Sequence, residues 1–159
     1  MRFTYAIMLY LLTLTAALPA ALPATKEKSS STKNELVKGI NANLKAGDKE
    51  ISATEKAQKA AKNNDNKGLK KDEKNINGAL NEAINDRKKN QKLAGTKDAA
   101  LTKGLGKVET AQNGAKQTVK GLTGDSKKDQ GSLDKLDATF KKGKATNTQN
   151  LEEAKKNFH

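Results

Sequence analysis

Residues 101–122 repeat their apolar side chains in alternating steps of four and three: Leu101, Leu105, Val108, Ala115, Val119 and Leu122, with Gln112 at the one interrupted position. Side chains so spaced share one face of an α-helix. The seam is narrow, two positions per heptad, and buries enough surface only against other helices. Helices packed on helices are therefore the fold that this stretch dictates. Leu101, Leu105, Val108, Val119 and Leu122 are also the residues through which a partner helix would bind.

The helical period recurs on both sides. Thr32 followed by Glu35 reads as a capping box, and Val37, Ile40, Leu44 and Ile51 continue one face that thins to Ala57, Ala60 and Ala61, giving a first helix over 33–62. Residues 63–66 are turn chemistry, since Asn and Asp tolerate left-handed backbone. A second helix over 66–93 carries Leu69, Ile76, Leu80, Ala83 and Ile84. Gly95 suits a helix stop and Thr96 the next cap, placing the third helix at 97–122. Residues 123–131 read as a loop and Ser132 as the cap of a fourth helix bearing Leu133, Leu136, Phe140, Leu151, Ala154 and Phe158. Gly143 and the pair Thr146 and Gln149 predict a break in it near 143–147. The expected fold is all-α, a marginally stable antiparallel four-helix bundle with loops near 63–66, 95–96 and 123–131. The alternative is a partly disordered chain that turns helical only on binding or drying.

Residues 1–24 read as a secretory signal peptide: Arg2, an apolar run over 6–14, and small residues ending at Pro19 and Pro23. That run is too short to span a bilayer comfortably. Residues 25–31 read as a flexible, charged lead-in, and 32–159 as the helical domain. Leu, Ile, Val and Phe make up 20 of the 135 residues from Thr25 onward, fewer than the ~20% below which a highly charged chain tends to disorder. Cysteine is absent, so no disulfide can reinforce the core. Seven glycines (39, 47, 78, 104, 106, 114 and 121) fall inside the expected helices, which suits helices that form only when packed. The group Lys67-Gly68-Leu69, Lys71, Glu73, Asn77-Gly78-Ala79 recurs 36 residues later as Lys103-Gly104-Leu105, Lys107, Glu109, Asn113-Gly114-Ala115, the mark of a duplicated helical unit.

The net charge is +13, from 31 Lys and Arg against 18 Asp and Glu. Past the leader the only arginine is Arg87. Lysine is a hydrated point charge without the fork that grips phosphate, so the charge suits diffuse attraction to anionic surfaces. Nucleic acid remains a partner of a non-specific kind, because the chain lacks the arginines and stacking aromatics that read bases. No catalytic, cofactor-binding or metal site emerges. His159 is the one histidine and stands at the last position, where no second group can fix it. Gly104-Leu105-Gly106-Lys107 lacks the first glycine and the closing Ser or Thr of a phosphate loop. Asp125, Asp129 and Asp134 miss the spacing of a calcium loop, and no Glu closes it.

The start Met1-Arg2-Phe3-Thr4, the short apolar core, and Ala-Leu-Pro-Ala before a Lys/Ser/Thr lead-in resemble the small secreted proteins of filamentous fungi. That resemblance implies an extracellular or cell-wall protein, of cell-surface or effector type, without enzymatic activity. The absence of cysteine departs from many effectors. In composition the Lys/Asn/Gly/Ala-rich helices are also similar to desiccation-protection proteins. The sequence thus points to a secreted, non-enzymatic basic binding protein acting at a cell surface or on a host component, its partner an unknown protein or an anionic surface.

Overall fold

A computed structural model describes residues 24–159, with side chains from Ser30 onward; the signal-peptide reading of 1–24 lies outside the described residues but for Ala24. Four helices follow one another, α1 (Ala24–Lys62), α2 (Asn66–Ala94), α3 (Ala99–Lys120) and α4 (Ser126–Lys156), and no strand occurs among the described residues. Short loops reverse the chain each time. α1 packs on α2 and α4, and α3 packs on the same two, so α1 and α3 stand diagonally across an antiparallel four-helix bundle.

Each loop is closed by an aspartate. Asp65 accepts from Gly68 N–H at 2.9 Å, Asp98 from Leu101 N–H at 2.8 Å, and Asp125 from Lys127 N–H at 3.0 Å. A carboxylate at this position satisfies amides that the first helical turn leaves free. The reversals use positive-φ backbone at Asn64 (φ 53°) and Gly95 (φ 55°), as the turn residues suggest.

Several expected boundaries move. The lead-in 25–31 is already helical, because nothing between Ala24 and Gly39 interrupts a helix, and Thr32 with Glu35 lies within α1 instead of capping it. Asp98 takes the capping role expected of Thr96, since its carboxylate reaches the Leu101 amide. Asp125 likewise caps α4 seven residues ahead of Ser132, and the loop shrinks accordingly. No break occurs at 143–147: Thr146 Oγ1 donates to Lys142 O inside a continuous helix, and a Cβ at Gly143 would meet nothing within 4 Å.

The core has two apolar halves. At one end, Ala53, Ala57, Ala60 and Ala61 of α1 give a shallow face onto which Leu69, Ile76 and Leu80 of α2 and Leu133, Leu136 and Phe140 of α4 close. At the other, Leu36 and Ile40 meet Leu101 and Leu105 of α3 and Leu151, Ala154 and Phe158 of α4. Lys97 Nζ lies 5.7 Å from the centre of the Phe158 ring, covering the end of the second half.

Two of the seven glycines bring helices close together. A Cβ at Gly39 of α1 would collide with Oδ1 of Asn90 on α2, and a Cβ at Gly104 of α3 with Oδ1 of Asn150 on α4. Each hairpin thus lays an asparagine oxygen against a glycine Cα, a contact of the Cα–H···O kind. Gly78, Gly106 and Gly114 face open space and only weaken their helices. The 36-residue echo holds in burial: Leu69 and Leu105 are buried, as are Ala79 and Ala115, while Gly78 and Gly114 are exposed.

Gly104→Ala should therefore lower the melting temperature followed by circular dichroism, although Ala favours helix by about 1 kcal/mol. Gly106→Ala, two residues away in open space, should raise stability by roughly 0.5–1 kcal/mol. Equal stabilisation by both would show that the Asn150 contact is soft.

Candidate functional site

Between the apolar halves lies a layer of buried polar side chains drawn from all four helices: Asn43 and Glu50, Arg87 and Asn90, Gln112, and Asn147 and Asn150. Arg87 is 2% exposed. Its Nε donates to Gln112 Oε1 at 2.8 Å and its Nη1 to Gln91 Oε1 at 2.7 Å. Nη1 also pairs with Glu109 at 2.8 Å, and Gln91 Nε2 donates to the other Glu109 oxygen at 3.0 Å. This ring joins α2 to α3. The Gln91 amide, and then the Arg87 charge, hold the Glu109 carboxyl below its ordinary range.

On the opposite side, Asn150 Nδ2 donates to Asn147 Oδ1, Asn147 Nδ2 to Asn43 Oδ1, and Asn43 Nδ2 to the Ala83 carbonyl. The ladder runs from α4 through α1 to α2. Glu50 stands beside it, 5% exposed, with Oε1 lacking any hydrogen-bond partner in the protein. It lines a small cavity with Asn43, Gln112 and Asn147, walled by the glycines 47 and 143. The cavity measures about 20 Å³, room for one water-sized guest. Burial pushes the Glu50 carboxyl up to about 8, so it is mostly protonated at neutral pH.

An acid pair, Asp129 and Glu73, closes the α3–α4 turn. Asp129 is buried and accepts the backbone N–H groups of Thr123, Gly124 and Asp125. Burial opposes its charge, but those amides and the Glu73 hydrogen bond outweigh it and keep the carboxyl low. Glu73 of α2 is pushed up to about 7 by burial and by its hydrogen bond to Asp129.

The seam residues are spent on the bundle itself. Leu101, Leu105 and Val108 are buried, while Val119 and Leu122 are partly buried against the first apolar half. Gly104-Leu105-Gly106-Lys107 is mid-helix, far from the loop geometry that cradles phosphate. Asp125 caps α4, Asp129 holds the turn, and Asp134 accepts from Gln58, so these three carboxylates serve separate donors. His159 is exposed. No helix among the described residues is long and apolar enough to cross a membrane.

The outer surface is divided by charge. The α1–α4 groove sets Asp48 and Glu55 among Lys141 and Lys144, and the α1–α2 groove sets Asp48 and Glu82 among Lys49, Lys56 and Lys74. Glu73 stands with Lys70, Lys74 and Lys120 between α2 and α3. The α3–α4 groove is different: about 770 Å³, lined by Ala111, Gly143, Ala145, Lys107 and Lys142 among others, and by no carboxylate. No protein-family model matches the chain, and comparison with curated proteins and with solved structures finds no match either.

Two predictions concern the polar layer. Between pH 4.5 and about 8 the folded chain keeps a proton on Glu50 that the unfolded chain has released. Stability therefore falls as pH rises through that window, by on the order of 4 kcal/mol for Glu50 alone. Glu73 acts in the same direction, whereas Glu109 and Asp129, held low, lose their contribution on acidification below the ordinary carboxylate range. Urea midpoints should thus be higher at pH 5 than at pH 8, and Glu50→Gln should remove most of the difference. Equal wild-type midpoints at the two pH values would contradict this.

The second compares the partners of the ring. Glu109 is 44% exposed in its side chain and Arg87 is 2% exposed. Glu109→Ala leaves a buried cation without its carboxylate, while Arg87→Met removes the charge and keeps the volume. Glu109→Ala should be the more destabilising, by about 2 kcal/mol. The reverse order in denaturant melts would refute the uncompensated-charge account.

Proposed function

We propose that this chain is a secreted, non-enzymatic binding protein that works at a cell surface or on a host component. The observation that carries the reading is the fate of its acids. Glu55, Glu82, Glu109, Glu152, Asp48, Asp86, Asp125 and Asp137 are in ion pairs. Asp65 and Asp98 cap helices, and Asp129 holds a turn. Most of the described carboxylates are thus engaged within the fold, and the lysines that exceed them are exposed. Such a surface concentrates the protein near anionic material. The single arginine past the leader is buried in the bundle, which leaves no guanidinium fork outside for shaped phosphate recognition.

A diffuse polyanion binder is the second reading, favoured by the even spread of lysine along all four helices. The two separate by salt and by nuclease. Protein from the producing culture should begin between Leu18 and Thr25, and an intact Met1 would overturn export. That protein should be retained by intact cells or their walls at physiological salt after nuclease treatment. A purely polyanionic contact should lose orders of magnitude in affinity between roughly 50 and 200 mM salt. Recovery of nucleic acid alone would refute the first reading.

A further inference from the structure

We propose that the groove between α3 and α4 is a binding site for a linear acidic polysaccharide, a chain of sugars bearing carboxylates or sulfates. This rests on the cell-surface reading above and names the ligand class and the place. Two features of the lining select the ligand. The first is charge: Lys107 from α3 and Lys142 from α4 face the groove with no carboxylate among its lining residues. The α3 acid, Glu109, is turned to Arg87 on the α2 side, and Asp134 and Asp137 of α4 are engaged toward α1 or their own helix. Glu153, one turn past Gln149, accepts from Asn157 Nδ2.

The second feature is hydrogen-bond polarity. Thr110, Thr139 and Thr146 line the groove, and each already donates its hydroxyl proton to a carbonyl of its own helix, at Gly106, Lys135 and Lys142. Their oxygens remain as acceptors. The groove therefore offers ammonium donors for anions and hydroxyl oxygens for donors, with the Gln149 amide able to serve either. A ligand that is anionic and also rich in hydroxyl groups uses both sets. A DNA backbone supplies acceptors alone, and its bases would need aromatic faces to stack on. The aromatic residues among the described ones, Phe140 and Phe158, are buried.

The test is binding of the secreted chain to a linear oligomer of galacturonic acid at physiological salt without calcium, beside poly-glutamate and single-stranded DNA. The oligomer should bind about tenfold more tightly than poly-glutamate of equal charge. The double variant Lys107→Glu/Lys142→Glu should lose about tenfold in affinity for it. Lys59→Glu/Lys62→Glu, the same charge change at the end of α1, should lose less than about twofold, with unaltered circular dichroism in both. Thr110→Val/Thr146→Val should weaken the sugar and leave poly-glutamate unchanged. Equal loss in the two lysine variants overturns the groove and leaves the diffuse attraction standing. Poly-glutamate or DNA binding as tightly as the sugar overturns the ligand class, and no binding of the sugar at all overturns the site.

Discussion

The bundle depends on how it buries one charge. Arg87 lies in the middle of the molecule, between two apolar halves too small to hold four helices in place by area alone. Taking a guanidinium out of water is costly unless each donor finds an acceptor and the charge finds a counter-charge. Gln112 and Gln91 supply acceptors to Nε and Nη1 and Glu109 the counter-charge, and to do so α3 must sit at one height and one rotation against α2. The Asn43–Asn147–Asn150 ladder imposes the same condition on α1 and α4. Sliding either pair by one turn would set leucine against these groups and leave them unpaired. The polar layer thus fixes register, a task that alanine-rich faces perform poorly.

The four helices were legible because their apolar residues keep the helical period, and Asn64 and Gly95 mark their turns by chemistry. The polar layer was harder to see, although its trace is present. Ile76, Leu80, Ala83, Arg87, Asn90 and Ala94 continue one alternation of four and three, and so do Leu36, Ile40, Asn43, Gly47, Glu50, Thr54 and Ala57. Polar residues standing on an apolar stripe are the signal of a buried network. Gln112 was visible as an interruption of its seam, but its partner on α2 was not, because pairing across helices depends on a register that one helix does not encode. The start of α4 was misplaced because Gly131 and Ser132 imitate a loop, while the Asp125 carboxylate caps more effectively than either local preference opposes. Nothing in the one-dimensional spacing separates Lys107 and Lys142 from the other lysines. Only packing α3 on α4, with their acids turned elsewhere, makes them a pair.

Two carboxyls, Glu50 in the polar layer and Glu73 beside the α3–α4 turn, are held towards the neutral form. Protonation of Glu50 and Glu73 belongs to the folded state, so mild acid favours the fold.

The two glycine–asparagine contacts divide the molecule in a way that helix order does not reveal. Each joins neighbours within one hairpin, Gly39 to Asn90 and Gly104 to Asn150. The Arg87 ring, the Asn43–Asn147 bond and the Asn66–Ser126 bond instead run between hairpins. Close backbone approach marks each hairpin, and the polar bonds together with the two apolar clusters mate the hairpins across the short joint at residues 95–98. Exchange of hairpins between two molecules would preserve every one of these contacts and change only the path of that joint.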